Sequence, residues 1–305
     1  MTKPTLLRQD APAQAIGARH MHVDVGGAKL WFDVEGQSVV PDGTTMRSRP
    51  TVLLIHGGPG SWDHSYFKPA FSHLAAHAQV VYLDLPGHGR SSWGTPSEWS
   101  FEGCADAIRL FCETVGITAP VVFGHSMGAP IVLLYGARHP QQPAGLIACS
   151  GFAHFDVDRL VEAVHGVAGA EVADIARRAY NHQPVKDVEW DRVYAAFGPS
   201  VPDQAMLARR RRNLDLAFHG AQLTDQLDIT EQLADIRSRT LICTGALDPI
   251  TPVDAAHEIA DHVPTGVAEL EIFDHAGHFP WLDVPEKFWS TLVQFIRSLQ
   301  GRSSG

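Results

Sequence analysis

Short apolar runs recur along this chain at intervals that leave room for a helix between them. Thr51-Val52-Leu53-Leu54-Ile55, Val80-Val81-Tyr82-Leu83, Val121-Val122-Phe123, Leu146-Ile147-Ala148-Cys149 and Leu241-Ile242-Cys243 are continuous rather than alternating. A strand buried on both faces of a parallel sheet reads this way, because neither face meets water. Residues 268–273 supply a further strand. Between the runs, residues 64–77, 101–115, 127–139 and 253–262 have helical length, and 285–299 reads as an amphipathic helix opened by Pro285. Upstream, residues 22–34 alternate around Gly26-Gly27 and predict a hairpin, while 36–50, with Pro41, Gly43 and Pro50, predict a loop.

Strand–helix alternation specifies an α/β fold, a mostly parallel sheet of about eight strands covered by helices on both faces. The rhythm breaks over 153–237, where helical periodicity is punctuated by Gly166, Gly169, Pro184, Pro199 and Pro202. That stretch predicts a helical cap inserted into a core made of 19–152 and 238–300, with 1–18 as a flexible lead-in.

Composition narrows the function classes. A formal net charge of −10 argues against a nucleic-acid binder, which needs a basic footprint. Cys104, Cys112, Cys149 and Cys243 lack C-x-x-C spacing and read as small buried hydrophobes rather than a disulfide scaffold or a zinc site. The first sixteen residues contain no apolar signal core, and no apolar stretch reaches membrane-spanning length, so the expectation is a cytoplasmic protein.

The third of the central runs ends in Gly124-His125-Ser126-Met127-Gly128, a G-x-S-x-G nucleophile elbow between strand and helix. Such a turn pushes a serine hydroxyl into a cleft, and its glycines leave space that a β carbon would fill. Serine needs a base held by a carboxylate. His278, in the loop after the last strand, and Asp248, directly after the strand at 241–243, are the residues placed to serve. Asp274 and His275 are their nearest rivals. An oxyanion calls for backbone donors. Met127 follows the serine, and Gly58 lies in His56-Gly57-Gly58-Pro59-Gly60 after the first buried strand, where Pro59 has no N–H to offer.

From about residue 20 to 299 the chain resembles the α/β-hydrolase superfamily, and its His56–Gly60 loop is similar to that of the proline iminopeptidase-like branch. The segments 84–91, 245–249 and 277–279 are similar to superfamily-wide motifs. The resemblance implies a triad of Ser126, Asp248 and His278 with Gly58 and Met127 at the oxyanion hole. It implies a cofactor-free, metal-free serine hydrolase acting on a small acyl substrate: an ester, lactone or amide. The elbow departs from the Gly-Gly-Ser-x-Gly-Gly of iminopeptidases, and Asp84-Leu85-Pro86-Gly87 replaces their Asp-x-Arg-Gly. An iminopeptidase is the second reading, and a non-catalytic binding protein on the same scaffold the third.

Trp62, His125, Phe152, Trp190 and Trp281, with Tyr66 and Phe197, are the candidates for pocket walls. Glu162, Glu171 and Glu189 are the cap carboxylates that could meet a substrate ammonium, although solvated glutamates are the commoner case. His56, His64, His88 and His125 adjoin the cleft loops. His73 and His77 have metal-pair spacing but no accompanying motif. Arg177-Arg178 and Arg209–Arg212 read as solvated helix faces, and an arginine turned inward would suit a carboxylate.

Overall fold

The computed structural model describes residues 21–300. The predicted hairpin is formed by β1 (Met21–Val25) and β2 (Ala28–Glu35), with Gly26 and Gly27 both at positive φ in its turn. Where the pattern predicts a loop, β3 (Val39–Asp42) and β4 (Thr45–Ser48) pair as a second hairpin. Of its strand residues only Val40 is buried, so no apolar alternation betrays it. β5 (Thr51–Ile55) then enters the core.

The stretch 64–77 is not one helix. It forms two 3₁₀ segments, His64–Phe67 and Ala70–Ala76. Pro69 separates them by holding Lys68 extended at φ −87° and ψ 139°. β6 (Gln79–Leu83), α1 (Phe101–Val115), β7 (Val121–His125), α2 (Gly128–Arg138) and β8 (Gly145–Cys149) follow the predicted order. Between β8 and the next strand the chain makes α3 (Val157–Ala168), α4 (Ala170–Tyr180), α5 (Asp187–Ala195), α6 (Gln204–Leu207) and α7 (Leu214–Thr224). A 3₁₀ turn at Glu231–Asp235 leads into β9 (Thr240–Gly245), α8 (Val253–His262), β10 (Ala268–Phe273), α9 (Pro280–Asp283) and α10 (Pro285–Gln300).

Among the described residues, eight strands form one sheet in the order β1-β2-β6-β5-β7-β8-β9-β10. β2 runs antiparallel to β1 and β6, and every pair from β6 to β10 is parallel. Alternate residues of each central strand serve opposite cores, as the two-residue period requires. Leu53, Ile55 and Val122 face α1, α2 and α8, whereas Val52, Leu54 and Phe123 meet Phe67, Phe71 and Phe288 on the side of α10.

Parallel register brings the strand ends into line. Ile55 stands beside Gly124, His125 beside Cys149, and Gly245 beside Phe273. The loops leaving β5, β7, β9 and β10 therefore meet above one edge, where ligands bind in open α/β sheets. Their approach is close. A β carbon on Gly245 would lie 2.2 Å from the Ala276 carbonyl oxygen and 2.3 Å from that of Gly277.

Both obstacles at Gly245 are backbone, so the Gly245→Ala protein must spread the β9 and β10 loops apart. Urea unfolding is expected to show a loss of about 1–3 kcal/mol; an unchanged midpoint would refute this account of their packing.

Candidate active site

Ser126 sits at the β7–α2 turn with φ +56°, a left-handed conformation uncommon for a residue with a side chain. Its N–H donates to the Cys149 carbonyl at 3.0 Å, and its own carbonyl accepts from Ala129 N–H at 2.9 Å. The flanking glycines have no room for side chains. A β carbon on Gly124 would lie 2.2 Å from the Gly128 carbonyl oxygen, and one on Gly128 would lie 2.5 Å from that of Ile55. The elbow is thus wedged between β5 and α2, backbone against backbone.

Asp248 occupies the loop between β9 and α8, fully engaged and buried. Its Oδ1 accepts from the amides of Ile250 and Thr251 at 2.9 and 3.1 Å, and its Oδ2 accepts from the Thr251 hydroxyl at 2.7 Å. The same Oδ2 accepts from His278 Nδ1 at 2.8 Å. His278 is buried too, and its amide donates to the Phe197 carbonyl at 2.7 Å. With Nδ1 committed to Asp248, Nε2 is the ring nitrogen left for chemistry. Asp274 and His275 are exposed and stand outside this arrangement.

A second histidine joins the loops. The Gly57 amide donates to the Tyr66 hydroxyl at 2.9 Å, and that hydroxyl donates to His125 Nδ1 at 2.9 Å. His125 Nε2–H then donates to the His278 carbonyl at 2.8 Å. This order of donors requires a neutral imidazole with its proton on Nε2. Burial agrees, holding His125 well below the ordinary histidine range and Tyr66 well above the ordinary phenol range.

The glycine-rich loop after β5 is held by two more neutral histidines. His56 Nδ1 donates to the Gly57 carbonyl at 2.6 Å and Nε2 accepts from Leu85 N–H at 3.2 Å. His88 Nδ1 donates to the Pro86 carbonyl and Nε2 accepts from Gly60 N–H, both at 2.9 Å. Burial lowers His56, and burial together with the His56 ring pushes His88 down to about 3. His64 lies apart, donating to Asp84 at 2.7 Å. Gly58, at φ +154°, and Met127 line the cavity beside Ser126, and neither amide donates to a backbone acceptor among the described residues.

The cavity holds about 650 Å³. Ser126, His278, Gly58 and Met127 share its wall with Trp62, His125, Phe152, Trp190 and Phe197, and with Tyr194 from α5. Trp281 does not reach it. That side chain is packed in the core between Phe71, Phe288 and the His125 ring, because α9 turns it toward the sheet. The cap glutamates also stand elsewhere. Glu171 pairs with Arg192 at 2.6 Å, Glu189 pairs with Arg178 at 2.8 Å, and Glu162 borders a separate shallow depression.

Asp63, His64 and Asp84 form a buried trio of metal-ligating type. Their oxygens are already occupied. Asp63 accepts from the Ser65 amide and hydroxyl and from the Arg211 amide, and Asp84 accepts from His64 and from the Arg90 amide. The trio ties loops together. His73 turns to the Trp289 ring rather than into a metal pair.

Two outcomes follow from the buried histidines and their partners. Tyr66→Phe leaves the Gly57 amide and His125 Nδ1 unpaired, and urea unfolding is expected to show a loss of about 1–3 kcal/mol. Near pH 7 His56, His88 and His125 are neutral whether folded or unfolded. As pH falls below about 6.5 the unfolded chain takes up protons that the folded chain refuses, so stability declines by up to about 1.4 kcal/mol per pH unit for each group. For His88 the decline ends only near its folded value of about 3. Urea midpoints measured from pH 7 to pH 5 should fall in the parent and fall less steeply in His88→Gln; parallel slopes would contradict the assignment.

The model of the α/β hydrolase fold family matches residues 50–285. A proline iminopeptidase of Levilactobacillus brevis is 28% identical, over 80% of this chain and 87% of its own length. The dihydrolipoyllysine-residue acetyltransferase component of an acetoin cleaving system from Pseudomonas putida is 27% identical, over 93% of this chain and 71% of its own. The crystal structure of a proline iminopeptidase-related protein from Thermus thermophilus superposes with a TM-score of 0.73 at 22% identity, covering 92% of this chain and 97% of that one. Esterases and an enol-lactonase stand among the other relatives and structural neighbours. With a match over most of its length and the sheet, elbow and edge loops already described, the chain belongs to the α/β-hydrolase family.

Proposed function

We propose that this protein is a serine hydrolase that cleaves a small carboxylic ester, lactone or amide through an acyl-enzyme. The observation that carries the reading is the buried Asp248–His278 pair, bonded at 2.8 Å, opening on the same cavity as Ser126. Ser126 Oγ attacks the substrate carbonyl carbon while His278 Nε2 takes its proton. The amides of Gly58 and Met127 meet the oxygen that becomes negative. The bond to the leaving group breaks, and His278 returns the proton to the departing alcohol or amine. Water, deprotonated by the same imidazole, then releases the acid and restores Ser126. Asp248 holds the imidazole in the tautomer this sequence needs and stabilises its transient charge.

The helices between β8 and β9 serve as a lid in this reading, since they furnish Tyr180, Trp190 and Tyr194 to the cavity. The aromatic wall suits an apolar substrate body. That wall favours an ester or lactone; Glu162, Glu171 and Glu189 do not line the cavity, and the acids an N-terminal ammonium would have to meet there are Asp187, Asp191 and Asp225.

Ser126→Ala is expected to abolish turnover of p-nitrophenyl butyrate and labelling by a fluorophosphonate probe while keeping the parent's urea midpoint. Near-parental turnover in that variant would sink the mechanism. Asp248→Asn should lower kcat by about 10³–10⁴-fold, the scale seen when a triad histidine loses its tautomer. In the parent, p-nitrophenyl butyrate and a homoserine lactone should turn over faster than proline p-nitroanilide; the reverse order would assign a peptidase.

A further inference from the structure

Arg210 lies between α6 and α7 and lines the cavity that holds Ser126 and His278. Its guanidinium carbon stands 4.4 Å from the centre of the Trp62 ring. Nε–H donates to the Leu207 carbonyl at 3.1 Å. These two contacts fix the plane of the group and leave its two terminal nitrogens without a hydrogen-bond acceptor among the described residues. Other partly buried arginines differ. Arg159 pairs with Glu258 at 3.1 Å, Arg178 with Glu189 at 2.8 Å, and Arg239 with Glu269. No carboxylate forms an ion pair with Arg210 among the described residues.

A half-buried cation without a directly bonded counter-ion is unfavourable until an anion arrives. Burial and the charge of Arg212 lower the pKa of Arg210 from its ordinary value by more than Tyr194 and the Asp63 carboxylate raise it. The platform beneath it reaches the reacting groups. Trp62 packs edge-on to Tyr66 at 5.0 Å and lies 6.1 Å from Phe279, the residue after His278. Tyr66 is the residue that donates to His125.

We propose that Arg210 receives a free carboxylate on the substrate, so that the site selects acyl compounds carrying an acid group besides the scissile bond. The inference rests on the hydrolase reading for the reaction but not for the binding. A planar fork with two free nitrogens matches a carboxylate bidentately. The remaining charged groups on the cavity wall are Arg212, Asp187, Asp191 and the Asp225–His182 pair. Three carboxylates around a site with one anchored arginine disfavour a dianion, which selects a monocarboxylate over a phosphate ester.

The binding arm uses Ser126→Ala protein titrated calorimetrically with monomethyl glutarate, dimethyl glutarate and monobutyl phosphate. Monomethyl glutarate should bind most tightly. Adding Arg210→Gln should weaken it by about 10–100-fold, the range for a lost charge-assisted hydrogen bond, with Arg210→Lys between the two. The kinetic arm compares mono-p-nitrophenyl glutarate with p-nitrophenyl valerate in otherwise parental protein. There Arg210→Gln should lower the acid-to-neutral ratio of kcat/KM by about tenfold or more. Equal losses on both esters, undiminished binding of monomethyl glutarate, or tighter binding of the phosphate would overturn the proposal. Should neither ester turn over in the parent, the hydrolase reading fails, and the calorimetric comparison still decides the role of Arg210.

Discussion

The run of hydrogen bonds from Gly57 through Tyr66 and His125 to the His278 carbonyl spans the three loops on which the site depends. Each joint has one permitted direction. The Gly57 amide can only donate, the His278 carbonyl can only accept, and the groups between must relay donor to acceptor in sequence. A charged His125 would reverse one joint and set a cation inside the core. The interaction therefore works only while the imidazole is neutral, and burial keeps it so. Position and protonation are one property here: the loops stay in place because the ring stays dry.

Backbone crowding does the rest. Gly124, Gly128 and Gly245 lie where carbonyl oxygens of neighbouring segments would overlap any side chain. Contacts of this kind have no slack, unlike those between flexible side chains, and they turn a parallel sheet edge into a platform of fixed geometry. The same edge gathers an excess of neutral histidine. His56 and His88 each offer one donor and one acceptor to loop backbone, and His125 donates to the His278 carbonyl while accepting from the Tyr66 hydroxyl, pairings that neither lysine nor an acid could supply.

Much of this was legible in the residues. Continuous apolar runs located the parallel strands because double burial leaves a plain signature. Ser126, Asp248 and His278 could be picked out as candidates because a serine nucleophile with its base and acid demands particular residue types just past strand ends, and the structure brings Asp248 and His278 into contact. Other features left no such mark. Tyr66 acts across a distance of 59 residues, which no local spacing reveals. Pro69 divides a stretch whose composition looks helical, and β3 pairs with β4 without an apolar face to advertise it. Trp281 reads as a wall and proves to be core, because a tryptophan's side of a short helix is decided by tertiary packing alone. Within Arg209–Arg212 a uniform charge run hides one residue in a different environment, and only its ring contact and partial burial separate it from its neighbours.

The helical segment above the cavity is fastened at one end in a manner that limits how it can move. The Asn213 amide donates to the Gly60 carbonyl at 2.8 Å, and its side chain donates to the Gly87 carbonyl at 3.0 Å. A β carbon on Gly60 would lie 2.4 Å from the Ala217 nitrogen, and one on Gly220 would lie 2.5 Å from the ring of Pro59. α7 thus rests directly on the loop that carries Gly58. A hinge motion lifting α7 would drag that loop with it and misalign the Gly58 amide. α7 and the Gly58 loop share a bearing, whereas the cavity wall also includes Trp190 and Asp191 of α5, whose exposed side chains can turn without moving that loop.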